Sequence, residues 1–137
     1  MRIALLAAIV VSGLPAAAQA MEPGEWEFRT TVSSTVMQVP QVATAVQCVT
    51  PEDARDPTRY AARNEAPGCT VKPGARTADR YEWTVACDSQ GMRGGGSARF
   101  SAKAIESVMR LNVDSQGLKM EIRTETTGRL LGPCKAK

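Results

Sequence analysis

The sequence predicts a mainly β protein: one antiparallel sheet, strongly curved or partly closed into a barrel, with one short helix and two disulfides. Three observations lead there. Apolar residues recur at every second position in several separate stretches, the period of a strand with one buried and one wet face. Short turn signals such as "DSQG" divide those stretches. The four cysteines include no C-x-x-C pair and the chain has no histidine, which favours cross-links over zinc ligation or a thiolate nucleophile.

The first residues bear on compartment. "MRIALLAAIVVSGLPAAAQA" carries Arg2, an apolar run from Ile3 to Val11 and a closing Ala18-Gln19-Ala20, the layout of a secretory signal peptide with an A-x-A cleavage site. The run is too short to cross a hydrocarbon core, which needs about 20 residues. Cleavage after Ala20 is therefore expected, with residues 21–137 forming a single domain that has no membrane span. No cysteine lies near the cleavage point, so no lipid attachment is expected there. The expected location is periplasmic or secreted.

Within the domain, "GEWEFRTTVSSTVMQV" places Trp26, Phe28, Val32 and Val36 on even positions, and "VATAVQCV" follows after a turn at Pro40-Gln41. Both faces of this pair carry apolar residues, so its register stays open. "TPEDARDPTRYAARN" is the helical candidate: Thr50 can cap, Pro51 suits the first position, and Glu52 and Asp53 sit at the positive end of the dipole. Pro57 limits it to one or two turns.

In "CTVKPGARTADRYEWTVAC" a hairpin around "PGARTAD" sets Val71 opposite Val85 and Cys69 opposite Cys87. Opposed residues of an antiparallel pair can come within disulfide distance. Of the three pairings that four cysteines allow, this one leaves Cys48 to join Cys134, stapling the C-terminal end to the middle of the chain. "QGMRGGGSA" reads as a flexible connection, and "SARFSA" as a strand with Ala98, Phe100 and Ala102 on one face. Finally, Ile105, Met109, Leu111 and Val113 alternate in "IESVMRLNV", as do Leu118, Met120 and Ile122 in "LKMEIRTET". A four-residue turn at "DSQG", with Gly117 at positive φ, would pair Val113 with Leu118, Leu111 with Met120 and Met109 with Ile122.

The net charge is +3, or +2 once Arg2 leaves with the leader, and aromatics make up only 4% of the chain. That is no electrostatic or stacking footprint for nucleic acid. Four features bear on chemistry. Gly91, Gly94, Gly95 and Gly96 with Arg93 could cradle an anion, but they lack the strand-to-helix setting of a nucleotide loop. Met37, Met92, Met109 and Met120 are soft ligands for copper, yet Met109 and Met120 already have places on an apolar face. Glu25, Glu27, Glu121 and Glu125 lie mostly on wet faces, and nothing in their spacing brings two into one cleft. Arg76, in "PGARTAD", is the candidate for a protease-inhibitory loop.

Read in order, "MEPGEWEF", "QCVTPEDA", "YEWTVAC" and "LGPC" resemble the exported bacterial family filed as domain of unknown function 3617, over essentially all of residues 21–137. The resemblance implies a small envelope or secreted protein and brings no activity, catalytic residue or cofactor with it. The sequence therefore points to a non-enzymatic exported module that binds a partner protein or a small apolar ligand, with no catalytic, metal or cofactor residue assigned. The alternatives are a hydrolase using carboxylates and an inhibitor of a secreted protease.

Overall fold

A computed structural model describes residues 21–55 and 67–135. The expected leader, the continuation of the helical segment past Arg55 with Pro57, and Lys137 lie outside the described residues. The elements are β1 (Gly24–Ser34), β2 (Gln41–Val49), α1 (Pro51–Arg55), β3 (Thr70–Arg76), β4 (Arg80–Cys87), β5 (Met92–Phe100), β6 (Ala104–Ser115) and β7 (Leu118–Gly132). The strands form one antiparallel seven-stranded sheet in the order β2-β1-β7-β6-β5-β4-β3. β7 closes back between β6 and β1, so among the described residues β2 and β3 are the edge strands and the sheet does not close into a barrel.

Register sorts the side chains into two faces. From the β1–β7 and β6–β7 pairings, Phe28, Gly128 and Ile105 stand in one row; from β5–β6 and β4–β5, Phe100 joins Ile105 and Tyr81 joins Ala98. This inner face carries the core: Met21, Trp26, Val49, Ala54, Tyr81, Ala98 and Phe100, with Phe28, Trp83, Ile105 and Leu130 packed against it. The outer face is charged and laced with ion pairs, including Arg129–Glu27 and Arg80–Glu82, both at 3.0 Å. Such exposed pairs each contribute little to stability.

Curvature follows from the same order. In a flat sheet β2 and β4 would lie about 24 Å apart, at about 4.8 Å per strand. Yet Ala43 and Ala45 of β2 and Tyr81 and Trp83 of β4 line a single cavity. The sheet must therefore curl its apolar face inward.

At the end of β2, α1 begins with a reciprocal cap. Thr50 Oγ1 accepts the Asp53 N–H at 3.2 Å, and an Asp53 carboxylate oxygen accepts the Thr50 N–H at 3.4 Å. Two of the orphan donors at the helix start are thereby satisfied.

Several expectations are corrected. "GMRGGG" is not a loop: Gly94, Gly95 and Gly96 are interior residues of β5, paired with Val85, Thr84 and Trp83 on one side and with Leu111, Arg110 and Met109 on the other. Glycine marks close approach there, since a β-carbon on Gly94 would collide with the Arg110 carbonyl oxygen. The turn between β6 and β7 has two residues instead of four. Gln116 and Gly117 both have positive φ (51° and 81°), and Ser115 faces Leu118. Positive φ at both central positions marks a type I′ turn, whose twist suits the flanking strands. Val113 consequently faces Met120, Leu111 faces Ile122 and Met109 faces Thr124. A shift of two residues leaves every side chain on its expected face.

The remaining corrections concern turns. β3 runs through "PGAR" to Arg76, so the hairpin turn shrinks to Thr77–Asp79, closed by Thr77 N–H to the Arg80 carbonyl at 2.8 Å. Pro73 is tolerated because β3 is an edge strand. β1 ends at Ser34 and β5 at Phe100, so Val36 and Ala102 are exposed turn residues, and Gln41 already belongs to β2.

Candidate ligand-binding cleft

The curled face encloses a cleft of about 420 Å³. β1 supplies Phe28, β4 supplies Tyr81 and Trp83, β5 supplies Ala98 and Phe100, and β6 supplies Ile105. The chain has two Trp, two Tyr and two Phe, and four of these six rings line this one space. Three of the four are held in stacked pairs along single strands: Phe28 on Trp26 with centroids 6.2 Å apart, and Tyr81 on Trp83 at 5.5 Å. Residues two apart on a strand share a face, which makes both pairs direct products of the alternation.

Trp26 anchors the floor. It is fully buried, and its indole N–H donates to the Glu22 carbonyl at 3.0 Å. That bond, with the Glu22 N–H to the Ala102 carbonyl at 2.9 Å, folds the segment from Met21 across the base of the sheet and places the Met21 side chain in the cleft lining. On the other side the cleft opens past β2, where Ala43, Ala45 and Gln47 are exposed. Polar lining atoms come from Thr30, Gln47, Ser107, Thr126 and Asp53. Asp53, delivered by α1, is the one charged side chain among the described lining residues. The arrangement suits a small molecule with a large apolar body and few polar contacts.

The cysteines form two disulfides, Cys48–Cys134 and Cys69–Cys87, with none left free. Val71 faces Val85, the register that brings Cys69 to Cys87. The tail after β7 passes back over β1 on the outer face to reach Cys48 on β2, and Lys135 comes within 3.9 Å of Glu25 beneath it. Glu27, Glu121 and Glu125 also fall on the outer face, Glu27 on Arg129 and Glu125 against Arg123. None of these four carboxylates enters the cleft lining. Among the described residues, no group of three or more His, Cys, Asp or Glu side chains is gathered where it could hold a metal ion. Met92, Met109 and Met120 are spread over the inner face, and Met37 lies in the β1–β2 turn.

Arg76 is on strand β3, donating to the Arg55 carbonyl at 3.1 Å. It ties the edge strand to the end of α1. Arg93 pairs with Asp88 on the outer side of β5, and the neighbouring Gly94, Gly95 and Gly96 are paired with strands β4 and β6.

Sequence reasoning missed the cleft as an assembly. Alternation marks Tyr81, Phe100 and Ile105 as facing inward, but only the strand order brings them together with Ala43 and Ala45 from the other end of the sheet. Asp53 was visible as a helix-start residue and not as a cleft residue.

Disulfides without any free thiol point to a non-cytoplasmic protein, and no helix among the described residues is long and apolar enough to cross a membrane. No curated protein and no solved structure matches the chain. The family model described as protein of unknown function (DUF3617) matches residues 21–134, and the chain belongs to that family.

Proposed function

We propose that the protein is exported through its N-terminal segment and, without catalysing a reaction, binds a small apolar molecule in the cleft. The observation that carries this reading is the 420 Å³ cleft, walled by Phe28, Tyr81, Trp83, Phe100 and Ile105 and left open along β2. Tyr81 and Phe100 are themselves buried, but Phe28, Trp83 and Ile105 are only partly covered, and with the exposed Ala43 and Ala45 they leave accessible space of a size typical of ligand sites. The "MRIALLAAIVVSGLPAAAQA" pattern and the two disulfides support an oxidising export compartment. A carboxylate hydrolase needs two acids in one cleft, and the described lining offers Asp53 alone.

The test is titration with the apolar fluorophore N-phenylnaphthylamine, together with native mass spectrometry of protein recovered from its own compartment. The wild type is expected to bind the fluorophore and to carry a bound species of low mass. Ser107→Phe, which puts a ring into the cleft from β6, is expected to weaken binding by about tenfold or more. Glu106→Gln, one residue away on the outer face, should leave it unchanged. Equal binding by Ser107→Phe, or no binding by the wild type, overturns the reading.

A further inference from the structure

Among the described residues, the two edge strands of the sheet are built differently. β3 carries Lys72, Pro73, Gly74 and Arg76, and its pairing with β4 is irregular between Pro73 and Arg76. These are the devices that keep an edge from recruiting another strand. β2 has none of them. Its nine residues, "QVATAVQCV", contain no charge, no proline and no glycine, and all but Val49 are exposed. Val42 and Val46 stand on the outer face at 52% and 51% exposure. An edge of this length and composition is a template for a further strand.

The sequence of that edge says which strand fits. Residues 41–47 read Gln-Val-Ala-Thr-Ala-Val-Gln, identical in both directions about Thr44. In an antiparallel pair, opposed residues are related by reversal of direction. Two copies of β2 centred on Thr44 therefore set Val42 opposite the partner's Val46, Ala43 opposite the partner's Ala45, Gln41 opposite the partner's Gln47 and Thr44 opposite the partner's Thr44. Every position meets a residue of its own kind. Pro40 falls opposite Cys48 at each end, and its missing N–H ends the ladder there.

We propose that the chain forms a two-fold homodimer through β2, joining two seven-stranded sheets along the 41–47 ladder. A self-complementary patch is what an isologous interface requires. The absence of charge on β2 removes repulsion between copies, while the valines form two cross-strand β-branched pairs on the outer face. On the inner face the paired alanines, Ala43 and Ala45, already line the cleft, so the dimer sets the open sides of two clefts next to each other. This inference is independent of what occupies the cleft. A monomer that still binds fluorophore overturns the dimer alone.

The experiment is sedimentation equilibrium of the protein expressed from its full chain, at micromolar concentrations, with variants that read the register. The wild type is expected to sediment as a dimer. Val42→Lys should raise the dissociation constant by about tenfold or more. The double variant Val42→Lys/Val46→Glu should restore association, because each new cation then faces a new carboxylate across the two-fold axis. Val42→Lys/Val46→Lys should not. Thr44→Cys is expected to give a covalent dimer on oxidation, peptide mapping placing the new bridge between the two position-44 residues, whereas Val42→Cys is not. A wild type that stays monomeric, or a dimer indifferent to these substitutions, overturns the proposal.

Discussion

Trp83 lies across Gly96, its pairing partner on β5, and the absence of a β-carbon there lets the indole settle against the sheet. A β-carbon on Gly96 would come within 2.5 Å of the Trp83 ring and 2.7 Å of the Val108 carbonyl oxygen. Gly96→Ala is therefore an overpacking change on both sides of the strand. It should cost about 1–3 kcal/mol, measured by denaturant unfolding. It should also weaken fluorophore binding, since the displaced indole has the cleft to move into. Unchanged stability would mean that the strand spreads to accept the methyl group. The same logic explains why alternation failed at "GMRGGG": a glycine adds nothing to a hydrophobic pattern, so a run of them looks like a connection even where neighbours demand its smallness.

The β6–β7 hairpin joins the two longest strands, and its two-residue turn fixes their register. Gly117 has φ 81° and a β-carbon there would meet nothing within 4 Å. Replacing it therefore carries a purely conformational cost. Gly117→Ala is expected to destabilise by about 1–2 kcal/mol, and Gly117→Asn by less, because Asn tolerates the left-handed region. A thermal melt of the two variants checks the ordering. Gln116→Asn supplies the Asn-Gly pair favoured in type I′ turns, and should raise Tm. If Gly117→Ala melts with the wild type, the turn is not the element that sets this register.

Taken as a whole, the sheet is open, and its two edge strands are held by the two disulfides. Cys48–Cys134 closes a separation of 86 residues and Cys69–Cys87 one of 18. On loop-closure entropy the first contributes about 4–5 kcal/mol and the second about 3 kcal/mol. The Cys48→Ser/Cys134→Ser variant should thus lose more stability than Cys69→Ser/Cys87→Ser. Urea unfolding of the two double variants measures the difference, and the reverse order would show that native contacts outweigh chain entropy here. The longer staple also has a geometric task. It draws the tail from β7 over β1 to β2, clamping the strand that forms one wall of the cleft and the proposed dimer edge.

Much of this molecule follows from local rules. A period of two assigns Trp26, Phe28, Leu111 and Ile122 to the inner face and Glu27 and Arg129 to the outer one, whatever the strands pair with. Thr50, Pro51 and Asp53 start α1 by local hydrogen bonds alone, and the spacing of Cys69 and Cys87 within one hairpin fixes their partnership. The cleft is a different kind of object. It depends on β7 entering between β1 and β6, on the curl that brings Ala43 near Trp83, and on the close approach of backbones that glycine permits. Those are contacts between residues far apart in the chain, set by the packing of the whole sheet, and no periodicity within a single strand encodes them.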